Sequence, residues 1–248
     1  MTAVLLLSAC TTSPTVPFEV EVPPGVDEAR GRFAEIFCSV LERNGTSLPD
    51  YRPCADALSH VTSVAPDVLE ALVRYPELGE RVAAFVSIAG AVGGSALAND
   101  ATQQQADLFR HWPQAKCDAG DGGAVASLRT DVRKAWLAAN KLPPGIRLYS
   151  LVTLPDRDRI SEALVPTHRK LARIDPRNDG QVIYSDQIVP GSTLLGFLNA
   201  DHWAVVLPID RSHRVLGSTF VNHNDYPREA LLESLLRYVE EDLAASGK

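Results

Sequence analysis

The sequence predicts an α/β fold in which helices flank a parallel sheet. From residue 66 onward, segments with helical periodicity alternate with apolar segments of strand length, an order typical of parallel sheets. Residues 82–88 form an uninterrupted apolar run that ends at a glycine-rich loop, as expected for a strand buried on both faces. Two further candidate strands, 146–152 and 193–198, also end at polar loops. Ligands bind at the carboxyl ends of such strands, so we expect a functional site there.

The composition is that of an ordinary globular protein. Of the 248 residues, 45% are hydrophobic and 22% are charged, which excludes collagen, coiled coils, dense disulfide scaffolds and wholesale disorder. The formal net charge is −7, so the chain as a whole has no electrostatic reason to bind a phosphate backbone. We therefore expect no nucleic-acid partner.

The first residues resemble an export signal. A short apolar run at 3–7 leads into Ser8, Ala9 and Cys10, and small residues after an apolar run are typical of signal peptides. The pattern is similar to the bacterial lipobox, in which the cysteine receives a lipid. It predicts a signal peptide over 1–9, lipidation at Cys10 and location at the cell envelope. The alternative is a cytosolic protein with an irregular apolar start.

A tether and one helix are expected before the sheet. Residues 10–24 contain several prolines and no periodicity, so they predict an extended, lipid-anchored tether. Residues 25–60 predict an amphipathic helix followed by a loop that contains cysteine. Because export permits disulfides, Cys38 and Cys54 are a candidate pair across this region.

The remaining segments supply the helices that cover the sheet. Helices are expected near Pro66, over 103–112, 124–140 and 160–174 with an interruption or kink at Pro166, and after Asp225 and Pro227 at the end of the chain. Residues 181–184 are expected to form a strand or turn. Residues 203–207 are expected to be extended chain or a short strand.

An acid and a histidine lie in two of the polar loops. Asp179 is in the first, 175–182, and His202 is in the second, 199–203. If both loops meet at one sheet edge, the carboxylate can hold the imidazole tautomer and the histidine can act as a general base. The alternative is that residues 178–180 form only a turn and that His202 only ends a strand.

Residues 65–207 resemble the C-terminal half of the α/β-hydrolase superfamily, on its lipase and esterase side. The resemblance rests on Asn-Asp-Gly-Gln-Val at 178–182, Ala-Asp-His-Trp at 200–203 and the strand and glycine loop over 87–98. It implies Asp179 as the acid and His202 as the base of an ester hydrolase that uses no cofactor. No zinc or calcium signature is evident, so we expect no metal site.

The nucleophile of that superfamily lies in a Gly-x-Ser-x-Gly turn between a strand and a helix, and this chain contains no such motif. The matching place reads His-Val-Thr-Ser-Val over 60–64, which makes Ser63 the candidate nucleophile. The strands that normally precede the nucleophile do not fit into residues 25–60. The resemblance therefore implies a partial α/β-hydrolase-like parallel sheet over 61–248 with its N-terminal strands missing.

Two functions remain open from the sequence. One is an exported lipoprotein that resembles a serine-type lipase or esterase, acts on an ester-type small molecule or lipid, and is inactive if the nucleophile turn is degenerate. The other is a non-catalytic binding lipoprotein that uses the degenerate pocket or an open sheet edge. An open edge strand would also favour a homodimer.

Overall fold

Three parallel strands form the sheet of the computed structural model, which describes residues 31–33, 35–36, 39–40, 64–101, 123–206 and 226–247. The strands are β1 (Ala84–Ile88), β2 (Arg147–Thr153) and β3 (Thr193–Leu198), and they lie in the order β1-β2-β3. The predicted α/β class and the three predicted strands are confirmed. No helix in the described ranges is long and apolar enough to cross a membrane.

A bulge interrupts the pairing of β2 with β3. Ser150 pairs with Leu194, but the next residue, Leu151, pairs with Gly196. Gly196 has φ +144°, a backbone conformation that residues with a Cβ rarely adopt. The extra residue increases the local twist where β3 approaches its polar loop.

Helices surround the sheet. They are α1 (Val64–Arg74), α2 (Ala96–Asn99), α3 (Gly123–Ser127), α4 (Thr130–Ala139), α5 (Val165–Leu171), α6 (His202–Val206) and α7 (Arg228–Ala245). Short 3₁₀ turns lie at Pro76–Glu80, Arg157–Arg159, Glu162–Leu164 and Tyr184–Gln187. The described residues between 31 and 40 are also helical.

Both faces of the sheet are covered by apolar side chains. On one face, Phe33, Ile36 and residues of α7 such as Leu235 pack with Tyr149 of β2. On the other face, α1 contributes Leu69 and Leu72 to a cluster with Phe85 and Ile146. Burial on both faces explains why the strand sequences are mainly apolar.

One predicted element differs from the structure, and another is shorter than predicted. Residues 203–207 were expected to be extended, but His202–Val206 is a helix, because Asp201 accepts a hydrogen bond from the amide of Ala204 and so caps its first turn. The helix predicted over 160–174 is interrupted, which is one of the two predicted alternatives, and only Val165–Leu171 is α-helical. Pro166 lies in the first turn of α5, where its missing N–H leaves no bond unmade, so the helix starts there rather than bending.

The predicted helix over 124–140 is divided in two. Gly123–Ser127 ends before Arg129, and Thr130–Ala139 begins after it. Asn99 contacts the start of the second helix, because its Oδ1 accepts the amide of Thr130 at 2.9 Å. The predicted helix over 103–112 and the predicted cap Asp225 lie outside the described residues.

Candidate active site

The acid loop is a tight turn built around the carboxylate of Asp179. Its Oδ1 accepts the amides of Gln181 at 2.9 Å and Val182 at 2.7 Å, and the Asp179 amide donates to the carbonyl of Val182. Gly180 has φ +90°, which favours glycine at the centre of this turn. These contacts hold the carboxylate in place through the backbone of its own loop.

The second oxygen of the carboxylate faces the sheet and the histidine loop. Oδ2 accepts the hydroxyl of Thr153 at 2.6 Å and lies 2.8 Å from Nδ1 of His202. Asp179 and Thr153 are fully buried. The carboxylate therefore has four donors, as a charge removed from water requires.

Thr153 is itself held in place by Gln187. The Gln187 Oε1 accepts the Thr153 amide at 2.8 Å, and its Nε2 donates to the Thr153 carbonyl at 3.1 Å. Thr153 is the last residue of β2, so this amide clamp continues the strand's hydrogen bonding beyond the sheet. It links the acid to a rigid element rather than to a loop.

His202 is the first residue of α6, immediately after the turn that follows β3. Its amide donates to the carbonyl of Asp179 at 3.1 Å, so backbone and side chain both join the two loops. Because a carboxylate only accepts hydrogen bonds, Nδ1 carries the proton in this pair. The other ring nitrogen, Nε2, has no hydrogen-bond partner among the described residues and is the atom that can take a proton.

The electrostatic surroundings favour the charged imidazole. Burial disfavours that form, but the charge and hydrogen bond of Asp179, together with the charge of Asp201, outweigh it and raise the pKa of His202. The neighbouring His168 behaves differently, because burial lowers its pKa more than the charge of Asp179 raises it. Of these two histidines, His202 is the one equipped to hold a proton.

Ser95 supports the acid loop from the segment after β1. Its hydroxyl donates to the carbonyl of Gln181 at 2.6 Å and accepts the amide of Leu97, which caps α2. Both polar functions of this hydroxyl are engaged in these contacts, so Ser95 has the geometry of a helix cap. A neighbouring contact, from the Gly93 amide to the Asp186 carbonyl at 2.8 Å, joins the same segment to the 3₁₀ turn Tyr184–Gln187.

The structure brings Asp179 and His202 together and leaves the other predicted site residues untested. Ser63, Cys10, Cys38 and Cys54 lie outside the described residues. Within the described ranges, no group of three or more histidine, cysteine, aspartate or glutamate side chains could hold a metal ion. The sequence interpretation missed Thr153, Gln187 and Asp201. A polar residue at the end of an apolar strand was the available signal for Thr153.

A carboxylate paired to an imidazole at the carboxyl edge of a parallel sheet is the arrangement that orients the base in serine hydrolases. The fold is a partial α/β-hydrolase-like fold. A metagenomic carboxyl esterase, MGS0156, has a similar solved structure, with 46% sequence identity and a TM-score of 0.67 over 72% of this chain. This chain spans 54% of the length of that esterase.

Two lipase structures are more distant. The mature lipase BlEst2 of Bacillus licheniformis is 19% identical, with a TM-score of 0.46, over 77% of this chain and 73% of the lipase. The Staphylococcus hyicus lipase is 12% identical, with a TM-score of 0.47, over 67% of this chain and 59% of the lipase. No protein-family model matches the chain, and no curated protein matches it.

Proposed function

We propose that this chain is a serine-type carboxylic ester hydrolase in which His202 is the general base and Asp179 orients it. The observation that carries the proposal is the 2.8 Å contact between Asp179 Oδ2 and His202 Nδ1, which leaves Nε2 available. The similarity to a carboxyl esterase supports ester bonds as the target.

The mechanism follows the order of proton transfers in a serine hydrolase. A serine hydroxyl attacks the ester carbonyl while Nε2 of His202 takes its proton, and the new C–O bond forms as the carbonyl π electrons move to oxygen. The collapse of this intermediate breaks the ester C–O bond, and the imidazolium returns its proton to the leaving alcohol. Water then repeats the sequence on the acyl-enzyme and releases the carboxylic acid.

Ser63 is our candidate for the nucleophile. It immediately precedes α1 in the chain, and a nucleophile at the start of a helix is the pattern of the superfamily's strained turn. Amide groups at a helix N-terminus also stabilise negative charge that develops on a substrate oxygen. Thr62 and Val64 flank Ser63 where the superfamily has other small residues around its nucleophile.

A fluorophosphonate probe tests the assignment. Purified full chain is treated with the probe, digested, and searched by mass spectrometry for the modified serine. We expect an adduct on Ser63 that disappears in Ser63→Ala and in His202→Ala. A modified serine elsewhere would reassign the nucleophile, while no adduct on any serine of folded protein would overturn the hydrolase proposal and favour a non-catalytic binding protein.

The cellular setting of the enzyme is part of the proposal. Lipidation of Cys10 would hold the chain at the cell envelope, where ester-type small molecules or lipids are accessible. Metabolic labelling of bacterial cells with an alkyne fatty acid tests this, with Cys10→Ala as the control. Label on the wild-type chain and none on the variant is expected. Equal label on both would exclude Cys10 as the anchor.

A further inference from the structure

Two polar clamps join the loop after β2 to the loop after β3. In the first, Asn199 Oδ1 accepts the Asp156 amide and its Nδ2 donates to the Asp156 carboxylate, both at 2.8 Å. In the second, Asp201 Oδ2 accepts the amide of Ser161 at 2.7 Å and its hydroxyl at 2.5 Å. The loop that carries His202 is therefore fastened at two points to the same neighbouring segment.

The Asp201 clamp also organises the helix that begins with His202. The other oxygen of this carboxylate, Oδ1, accepts the amide of Ala204 at 2.9 Å and caps α6. Asp201 and Ser161 are both fully buried. A helix cap at the surface needs only one accepted hydrogen bond. The Asp201 carboxylate is buried, has three donors and lies one residue before the proposed base.

We propose that Asp201 is a positioning residue for His202, since its carboxylate fixes the direction of α6 through Ala204 and Ser161 while its negative charge favours the imidazolium formed when the base takes a proton. The proposal deepens the hydrolase function proposed above and rests on it for its catalytic meaning. Its physical content, an electrostatic link between two buried groups, does not depend on turnover.

Among the described residues, few titratable groups besides Asp201 act on His202. Asp179 contacts Nδ1 directly, and these two carboxylates are the charged groups that raise the pKa of His202 against the effect of burial. His168 of α5 also interacts with Asp179. Burial lowers the pKa of His168, the charge of Asp179 raises it by less, and the charge of Arg157 lowers it slightly. A change at Asp201 therefore removes one of the two negative charges that, within the described part of the chain, act on the imidazole. Low local polarity makes such a charge effective.

The test is an NMR titration of the His202 ring protons in full-length Asp201→Asn. Asparagine keeps an oxygen that can cap α6 but carries no charge. We expect the titration midpoint of His202 to move to lower pH, and the acidic limb of the kcat/KM profile to move with it. Plateau kcat/KM should fall about tenfold, because the hydrogen bonds that hold Asp201 to Ser161 and Ala204 lose their charge assistance.

Two control variants separate charge from architecture. Ser161→Ala removes a donor but keeps the Asp201 carboxylate, and Asp158→Asn removes a charge from an exposed residue of the same loop. Both should leave the His202 midpoint where it is in the wild type. A midpoint in Asp201→Asn equal to that of the controls would overturn the proposal.

Folding and activity failures have distinct meanings. Asp201→Ser, which also keeps a capping oxygen, is the second variant. If neither Asp201 variant folds while both controls do, Asp201 is a stability residue and the positioning role is overturned. If the midpoint shifts as expected but no serine reacts with a fluorophosphonate, the electrostatic link stands and the hydrolase function fails.

Discussion

The imidazole of His202 and the carboxylate of Asp179, 23 residues apart in the chain, approach to 2.8 Å at the carboxyl edge of the sheet. The contact is reinforced by the backbone, because the His202 amide donates to the Asp179 carbonyl. Side chain and main chain thus fix the same pair of loops. Such preorganisation is what allows a base to act without rearrangement during the reaction.

Asp179→Asn should remove most of the ester hydrolysis while leaving the fold intact. The amide keeps the shape of the carboxylate but can present a donor to Nδ1, which stabilises the wrong imidazole tautomer. We expect kcat to fall by roughly three to four orders of magnitude, as in characterised acid–histidine–serine triads. Steady-state kinetics with circular dichroism as a folding control measures this, and a loss under tenfold would contradict the role of Asp179.

Thr153→Val should weaken the site less severely. Valine is close to threonine in shape, but it cannot donate the 2.6 Å hydrogen bond to Asp179 Oδ2. The loss of one donor to a buried carboxylate costs about 1–3 kcal/mol of unfolding free energy. Both the free energy of unfolding and kcat should therefore fall. Thr153→Ser keeps the hydroxyl and is the matched control. Equal urea midpoints for the two variants would show that the hydroxyl contributes nothing.

Gly180→Ala should destabilise the acid loop more than strain alone predicts. Gly180 has φ +90°, and a Cβ there would lie 3.0 Å from the Cβ of Leu164. Gly191 has φ +76° but open space around it, so Gly191→Ala reports the cost of the backbone conformation, about 1–2 kcal/mol. We expect a larger loss of unfolding free energy, and a loss of activity, only for Gly180→Ala. Equal losses in both variants would show that the contact with Leu164 adds nothing to the cost of Gly180→Ala.

His202 should make stability and activity depend on pH in opposite directions. The pKa of His202 is raised in the folded chain. Its contribution to stability is therefore fully present at pH values below the pKa of the unfolded chain, and it is lost as the pH rises through the pKa of the folded chain. Activity needs the neutral base and should rise over that same interval. Urea titrations of wild type and His202→Ala at several pH values measure the first effect. A stability difference that grows with rising pH would contradict it.

The sequence was informative where local pattern decides structure. Mainly apolar segments of strand length that alternate with helical segments predicted all three strands, and residues 193–198 were predicted with the observed bounds. Asp179 and His202 could be paired because parallel strands place successive loops at one edge. Residues 203–207 were misread because their apolar run fits a strand as well as a helix, and the cap at Asp201 decided for the helix.

The supporting groups were harder to find, because their roles depend on contacts between distant segments. Thr153 and Gln187 are 34 residues apart, and Ser161 and Asp201 are 40 apart. Neither pair has a spacing that identifies it. Only the folded arrangement shows that the Gln187 side chain completes the backbone hydrogen bonds of Thr153, or that Asp201 reaches across to Ser161.

The most direct test of the central claim is the hydrolysis of p-nitrophenyl butyrate by the purified full chain. Wild type, His202→Ala and the exposed control Asp158→Asn should be compared at equal concentrations of folded protein. We expect hydrolysis by wild type and Asp158→Asn, with a loss of about 10³-fold or more in His202→Ala. Hydrolysis that survives in His202→Ala, or its absence from folded wild type, would contradict the account.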